Sequence, residues 1–168
     1  MSADNIILGE GVFAIDGTDI ALTRGGGSFT VEREYRVIEA DGDLGPVQGR
    51  IRKIRSVAKL TLNALEILPA NIPKFYPALN EDTTTTPGTS IITATDDIQS
   101  ADYQPTVTWT GKTKAGKAVT ITLNNAINLE NIQWDLIDKE EIVPEITYTA
   151  TYTEGSTAEP WKIEYVTA

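Results

Sequence analysis

Two runs of clear period-two alternation, separated by one acidic loop, limit this chain more than any other feature. In the first, Phe29 to Glu39, the side chains of Phe29, Val31, Tyr35 and Val37 fall on one side of an extended backbone. Thr30, Glu32, Glu34 and Arg36 fall on the other, while Arg33 interrupts the apolar side and Ile38 the polar one. In the return run, Arg50, Arg52, Ile54, Ser56, Ala58, Leu60 and Leu62 alternate with Ile51, Lys53, Arg55, Val57 and Lys59. The half nearer the loop is charged on both sides; the half past Ser56 is apolar on one. The expectation is a long hairpin whose base lies in a core and whose tip projects beyond it. The connecting stretch is Ala40, Asp41, Gly42, Asp43, Leu44, Gly45, Pro46, Val47, Gln48 and Gly49. About ten residues is more than a hairpin needs, since most take two to five. A loop of that length is either disordered or has something to touch.

The cations Arg50, Arg52, Lys53, Arg55 and Lys59 admit two readings. Lysines and arginines on an edge strand block unwanted pairing. Alternatively they meet an acidic surface, either the opposing Glu32 and Glu34 or a neighbouring copy. The chain as a whole carries a net charge of -10 and a pI near 4.4, so a basic strip favours steering and register between copies. The same acidity argues against a protein that grips nucleic-acid phosphates, although DNA would slide past such a surface without adhering.

With 168 residues, 40% of them hydrophobic, one domain spanning 1–168 with a real core is expected. There is no cysteine and no histidine. Disulfides, cysteine-ligated metals and the common nucleophilic triads are thereby excluded. Adjacent carboxylates such as Glu140/Glu141 and Asp96/Asp97 point to opposite faces of a strand and do not converge on one bond. No catalytic, cofactor or metal residues are assigned, and an enzyme is not expected. With no apolar run long enough for a membrane span and no leader-like N-terminus, a soluble protein made in the cytosol is expected.

Along the rest of the chain, residues 1–11 read as an arm containing Ile6-Ile7-Leu8, and Val12–Ile15 as a short strand closed by an Asp16-Gly17 turn. Asp19 to Thr23 resumes as a strand. Gly25-Gly26-Gly27 opens a strand rather than a helix, so it reads as a bulge or bend and not a phosphate cradle. Residues 70–79 give the best short helix, with Asn71 as N-cap, Pro73 in the first turn and Ile72, Phe75, Tyr76 and Leu79 on one stripe. Glu81 to Asp102 reads as an exposed loop with one strand, Ser90 to Ala94. A hairpin with a basic tip spans Pro105–Thr110 and Ala118–Leu123 and is broken by Asn124-Asn125. Leu129 to Leu136 is expected as a strand holding Trp134, and Glu140–Tyr152 as a strand paired with Trp161–Val166. The fold class is mainly β: a sandwich or barrel-like domain with one short flanking helix and a long projecting hairpin loop.

The segment GTDIALTRGGGSFTVEREYRVIEADGDLGPVQG, followed by the basic strand and LTLNALEIL, resembles the major tail tube proteins of long-tailed phages and phage-derived tail-like particles. The likeness rests on Leu-Thr-Arg-Gly-Gly, a Glu-rich strand, the DG-x-x-GP-V-x-G loop and a closing Leu-Glu-Ile. It covers about a third of the chain, and the C-terminal half carries no motif of that family. The resemblance implies a β-sandwich that assembles with itself into rings, usually hexameric, stacked into the tube of a virion tail. DNA would pass through without specific binding, and the loop Asp41–Gly49 would reach an adjacent ring. Tape-measure, tail-tip and terminator proteins would be its other partners, with no membrane anchor and no added immunoglobulin-like domain. Two alternatives stand beside it. One is a monomeric carbohydrate-binding sandwich using Tyr103, Trp109, Trp134 and Trp161, although rings of this kind are more often core. The other is a terminator or connector that forms single rings.

Overall fold

In the computed structural model, which describes residues 3–20 and 22–168, strands dominate as the alternation requires. They are β1 (Ile7–Ile15), β2 (Thr18–Asp19), β3 (Thr23–Val37), β4 (Ile51–Ala64), β5 (Leu79–Asp82) and β6 (Ile91–Ala94). There follow β7 (Gln104–Thr113), β8 (Ala118–Asn128), β9 (Glu145–Ala150) and β10 (Trp161–Tyr165), with one α-helix, α1 (Ile72–Phe75), between β4 and β5. The main sheet is antiparallel in the order β2-β1-β7-β8-β9-β4-β3, with β10 also on β8. β5 and β6 form a separate two-stranded sheet.

β8 is the pivot. One edge pairs with β7 along most of its length, while the other pairs with β10 through Val119–Leu123 and with β9 through Ala126–Asn128. Between those two segments Asn125 takes φ 49°, a left-handed conformation that asparagine tolerates better than most residues. The bend lets Leu123 and Ala126, three apart and so on opposite sides of a flat strand, enter the same core. That core joins Phe13 and Ile15 of β1, Leu60 and Leu62 of β4, Val107 of β7 and Ile146 and Tyr148 of β9. Phe75 and Tyr76 close it from the helix side. The sheet thus folds over its own apolar face, as a sandwich or open barrel does.

Three polar bonds seat the helix. Tyr148 donates its hydroxyl to the Lys74 carbonyl at 2.7 Å, Asn128 donates Nδ2 to the Phe75 carbonyl at 2.9 Å, and Trp134 donates Nε1 to the Tyr76 hydroxyl at 3.3 Å. The helix is shorter than the expected 70–79. Pro69–Asn71 form a 3-10 turn, Asn71 makes no side-chain cap, and Tyr76 is already extended at φ -129°, ψ 134°. Pro77 disfavours the helical region for the residue before it. The burial of Phe75 and Tyr76 on the expected stripe stands.

Other expectations change. The arm and the Val12 run are a single strand, β1, with a register shift between Ile7 and Gly11; Met1, Ser2 and Ala21 lie outside the described residues. Leu129–Leu136 is not a strand: residues 129–144 connect β8 to β9 without helix or strand. β9 and β10 do not pair with each other. β9 lies between β8 and β4, and β10 sits on β8. Asn124-Asn125 bends β8 rather than ending it. β5, which pairs with β6 over Leu79–Asp82, falls where the helix and an exposed loop were expected. The Gly25-Gly26-Gly27 bulge is present as a register shift between Thr23 and Gly27, with Gly25 and Gly26 at positive φ.

Candidate functional site

β3 and β4 pair over almost their whole length, but β9 supports β4 only through Lys59–Asn63. Among the described residues, β3 has no partner on its other side. The hairpin therefore leaves the body as a two-stranded ribbon, in which β3 and the cation-bearing stretch of β4 before Lys59 each present a free edge among the described residues. The last layer of the core marks where it departs. Phe29 packs against Trp161 with ring centroids 5.7 Å apart, Arg33 lies 5.8 Å from the centre of the Trp161 ring, and Tyr152 donates its hydroxyl to the Ser56 carbonyl. Arg33, the interruption in the apolar side, caps that face through a cation–π contact. Past it every residue of β3 and of β4 up to Arg55 is exposed.

A bulge decides what the tip presents. Glu34 is opposite Arg55, but Tyr35 is opposite Lys53, so Ile54 is the extra residue. The extra residue reverses the faces of β4 beyond it. Without it Val37 would face Arg52; with it Val37 faces Ile51 and Arg36 faces Arg52. One side of the tip thus carries Tyr35, Val37 and Ile51, all solvent-exposed, and the other carries two arginines directly opposite each other. Like charges in that position repel.

The loop beyond the tip is folded on itself. The Asp43 carboxylate accepts from the Ala40 N–H at 2.7 Å and from Arg50 Nη1 at 2.8 Å. Ile38 N–H donates to the Arg50 carbonyl, and Arg50 N–H to the Val47 carbonyl. Asp43 and Val47 are half-buried, whereas Asp41, Gly42, Gly45, Pro46, Gln48 and Gly49 are exposed. Leu44 is exposed over its entire surface, at 107%. The loop's shape is maintained by backbone and carboxylate bonds, leaving its one large apolar side chain facing water.

The five cations divide. Arg50 is held by Asp43, Lys53 by Glu159, and Lys59 lies 3.7 Å from Glu32. Lys53, together with Trp161 Nε1–H, holds the Glu159 carboxyl below the ordinary value. Arg52 and Arg55 have no carboxylate within 4 Å among the described residues, and Glu34, although opposite Arg55 in register, makes no ion pair with it. Glu32 and Glu34 both face solvent on the edge strand. The alternation predicted the projecting ribbon; the bulge at Ile54, which sorts its faces, leaves no mark in a sequence that alternates on either side of it.

The aromatic residues do not gather on one face. Trp109 lines an apolar cleft of about 380 Å³ between β1 and β3, with Gly11, Phe13, Gly27 and Phe29. Trp161 is under Arg33, and Trp134 is tied to Tyr76. Glu141 is paired with Arg24 at 3.0 Å. No protein-family model matches the chain, and no curated protein matches it.

Proposed function

We propose that this chain is a structural subunit that assembles with copies of itself into rings stacked as the tail tube of a phage or phage-derived particle. The observation that carries the reading is the projecting hairpin, which presents Leu44 in its loop, Val37 and Ile51 on one face of its tip, and on the other face two arginines without a carboxylate partner among the described residues. Single exposed apolar residues are ordinary, but a self-bonded loop that lifts several of them clear of the body is how a contact element is built. The resemblance of residues 17–49 to tail tube proteins supplies the identity of the partner: another copy. Net acidity fits a channel that passes DNA without holding it. Catalysis has no part in this reading, and the protein would reside in the virion tail.

Negative-stain electron microscopy of the purified protein across concentrations tests it. Hollow tubes or stacked rings are expected, and deletion of residues 41–49 is expected to abolish tubes while leaving folded monomers. Single rings at every concentration would make the protein a terminator or connector. Tubes that persist after the deletion would remove the loop from the contact.

A further inference from the structure

Arg36 and Arg52 are fixed opposite each other at the hairpin tip, with no carboxylate within 4 Å among the described residues. A like-charge pair on a projecting ribbon calls for an acidic surface, and one that is also apolar, because the exposed Leu44 lies in the loop that closes the same tip while Val37 and Ile51 occupy its other face. Among the described residues, the loop 129–144 presents the most exposed apolar side chains of any segment of that character. In the loop 129–144, Leu129, Ile132, Leu136 and Ile137 are each more than half exposed. Interleaved with them are Glu130, Asp135 and Asp138, none within 4 Å of a cation among the described residues. A loop of this length without helix or strand is uncommon in a compact domain unless it has a role.

The two surfaces cannot meet within one copy. The loop is anchored at the far end of β4, where Asn63 pairs with Glu145, the Ala64 N–H donates to the Pro144 carbonyl, and Arg24 holds Glu141. The tip lies at the opposite end of the same strand, which over its 14 residues spans about 45 Å. Two complementary patches at opposite ends of one body make a heterologous contact, which propagates rather than closes.

We infer that the acidic, apolar loop 129–144 of one copy receives the basic, apolar hairpin tip of the next, head to tail. The inference rests on the self-assembly reading above and adds the receiving surface. It buries Leu44 against Leu136 and Ile137 and neutralises Arg36 and Arg52 with Asp135 and Asp138.

Because the chain has no cysteine, a disulfide reports the contact directly. The full chain carrying Leu44→Cys and Leu136→Cys together, both at exposed positions, is expected to give a reducible ladder of multimers under mild oxidation. A mixture of the two single variants is expected to stop at dimers, and Leu44→Cys alone to remain monomeric. Disulfide dimers from Leu44→Cys alone would mean tip-to-tip contact and overturn the inference. Absence of a ladder in a sample that shows tubes by electron microscopy would place the receiving surface elsewhere while leaving the tube reading intact. Absence of both ladder and tubes would overturn both. Charge exchange is the second measure. Arg36→Glu/Arg52→Glu and Asp135→Arg/Asp138→Arg are each expected to raise the concentration needed for assembly at least tenfold, and their combination to restore it. Failure of the combination to recover, with wild-type tubes present, would sink the pairing.

Discussion

Gly27 and Gly111 show how single residues set the core's shape by what they omit. Neither takes a positive φ. A methyl group on Gly111 would fall inside the Trp109 ring, and one on Gly27 would meet the Thr61 carbonyl oxygen and the Phe13 ring. Both sites are close approaches that a side chain would force apart, a use of glycine in strands that turn and bulge signals do not reveal. Tyr148 is the opposite case, a large polar residue at the centre. It is fully buried and donates to the Lys74 carbonyl, and burial, with a smaller contribution from Tyr76, pushes its hydroxyl above the ordinary 10.0. The folded state therefore keeps a proton that the unfolded chain releases near pH 10. The stability contributed by the neutral phenol is complete below that point and declines as pH rises above it, by at most about 1.4 kcal/mol per pH unit. Urea denaturation between about pH 8 and 11 should show this decline. Tyr148→Phe should be less stable at neutral pH by about 0.5–1.5 kcal/mol, the loss of one hydrogen bond, yet fall less steeply in alkali. An unchanged alkaline slope in Tyr148→Phe would assign the decline to other groups.

At the scale of elements, the hairpin separates stability from function. Arg36 and Arg52 face each other, so Arg36→Glu turns repulsion into attraction and should raise the stability of the single copy by about 0.2–1 kcal/mol. The same change should prevent tube formation in the proposed assembly, since it inverts the tip's charge where an acidic loop is to dock. Thermal denaturation and electron microscopy of one preparation check both halves. Normal tubes from Arg36→Glu would show that the basic side of the tip is not used. The hairpin was also the most legible element, because alternation across Phe29–Val37 and Ser56–Leu62 reports directly which half meets a core. Legibility failed where tertiary contacts override local pattern. Leu129, Ile132 and Leu136 have the spacing of a strand's apolar residues, but they pair with no strand among the described residues and face water instead. β9 and β10 read as partners from their closeness in sequence, whereas β8, bent at Asn125, takes each of them along a different part of one edge. The cations of β4 were visible as a group, but not that Asp43, Glu159 and Glu32 claim three of them and leave Arg52 and Arg55 open.

For the whole molecule, the proposed assembly sets two electrostatic effects against each other, and their ranges decide the outcome. Each copy carries -10, so stacking at about the length of β4, roughly 45 Å, brings like charges together. Treating the bodies as point charges in water, the repulsion is about 9 kcal/mol before screening. With a Debye length of about 30 Å at 0.01 M salt it falls to about 2 kcal/mol, and with about 10 Å at 0.1 M to about 0.1 kcal/mol. The attraction between the tip arginines and the loop carboxylates acts over about 4 Å, so the same increase in salt removes only about a quarter of it. Exposed pairs of that kind contribute about 0.2–1 kcal/mol each, which makes the absolute loss a few tenths. Relief of the long-range repulsion therefore outweighs loss of the short contact. Raising salt from about 0.01 to about 0.1 M should lower the concentration needed for tubes by an order of magnitude or more, with sedimentation of assembled protein as the measure. Beyond about 0.1 M the repulsion is already spent, and further salt should weaken assembly slightly through the contacts alone. A steady loss of tubes from the lowest salt upward would mean that opposite charges at the interface, not the apolar residues beside them, supply most of the association energy.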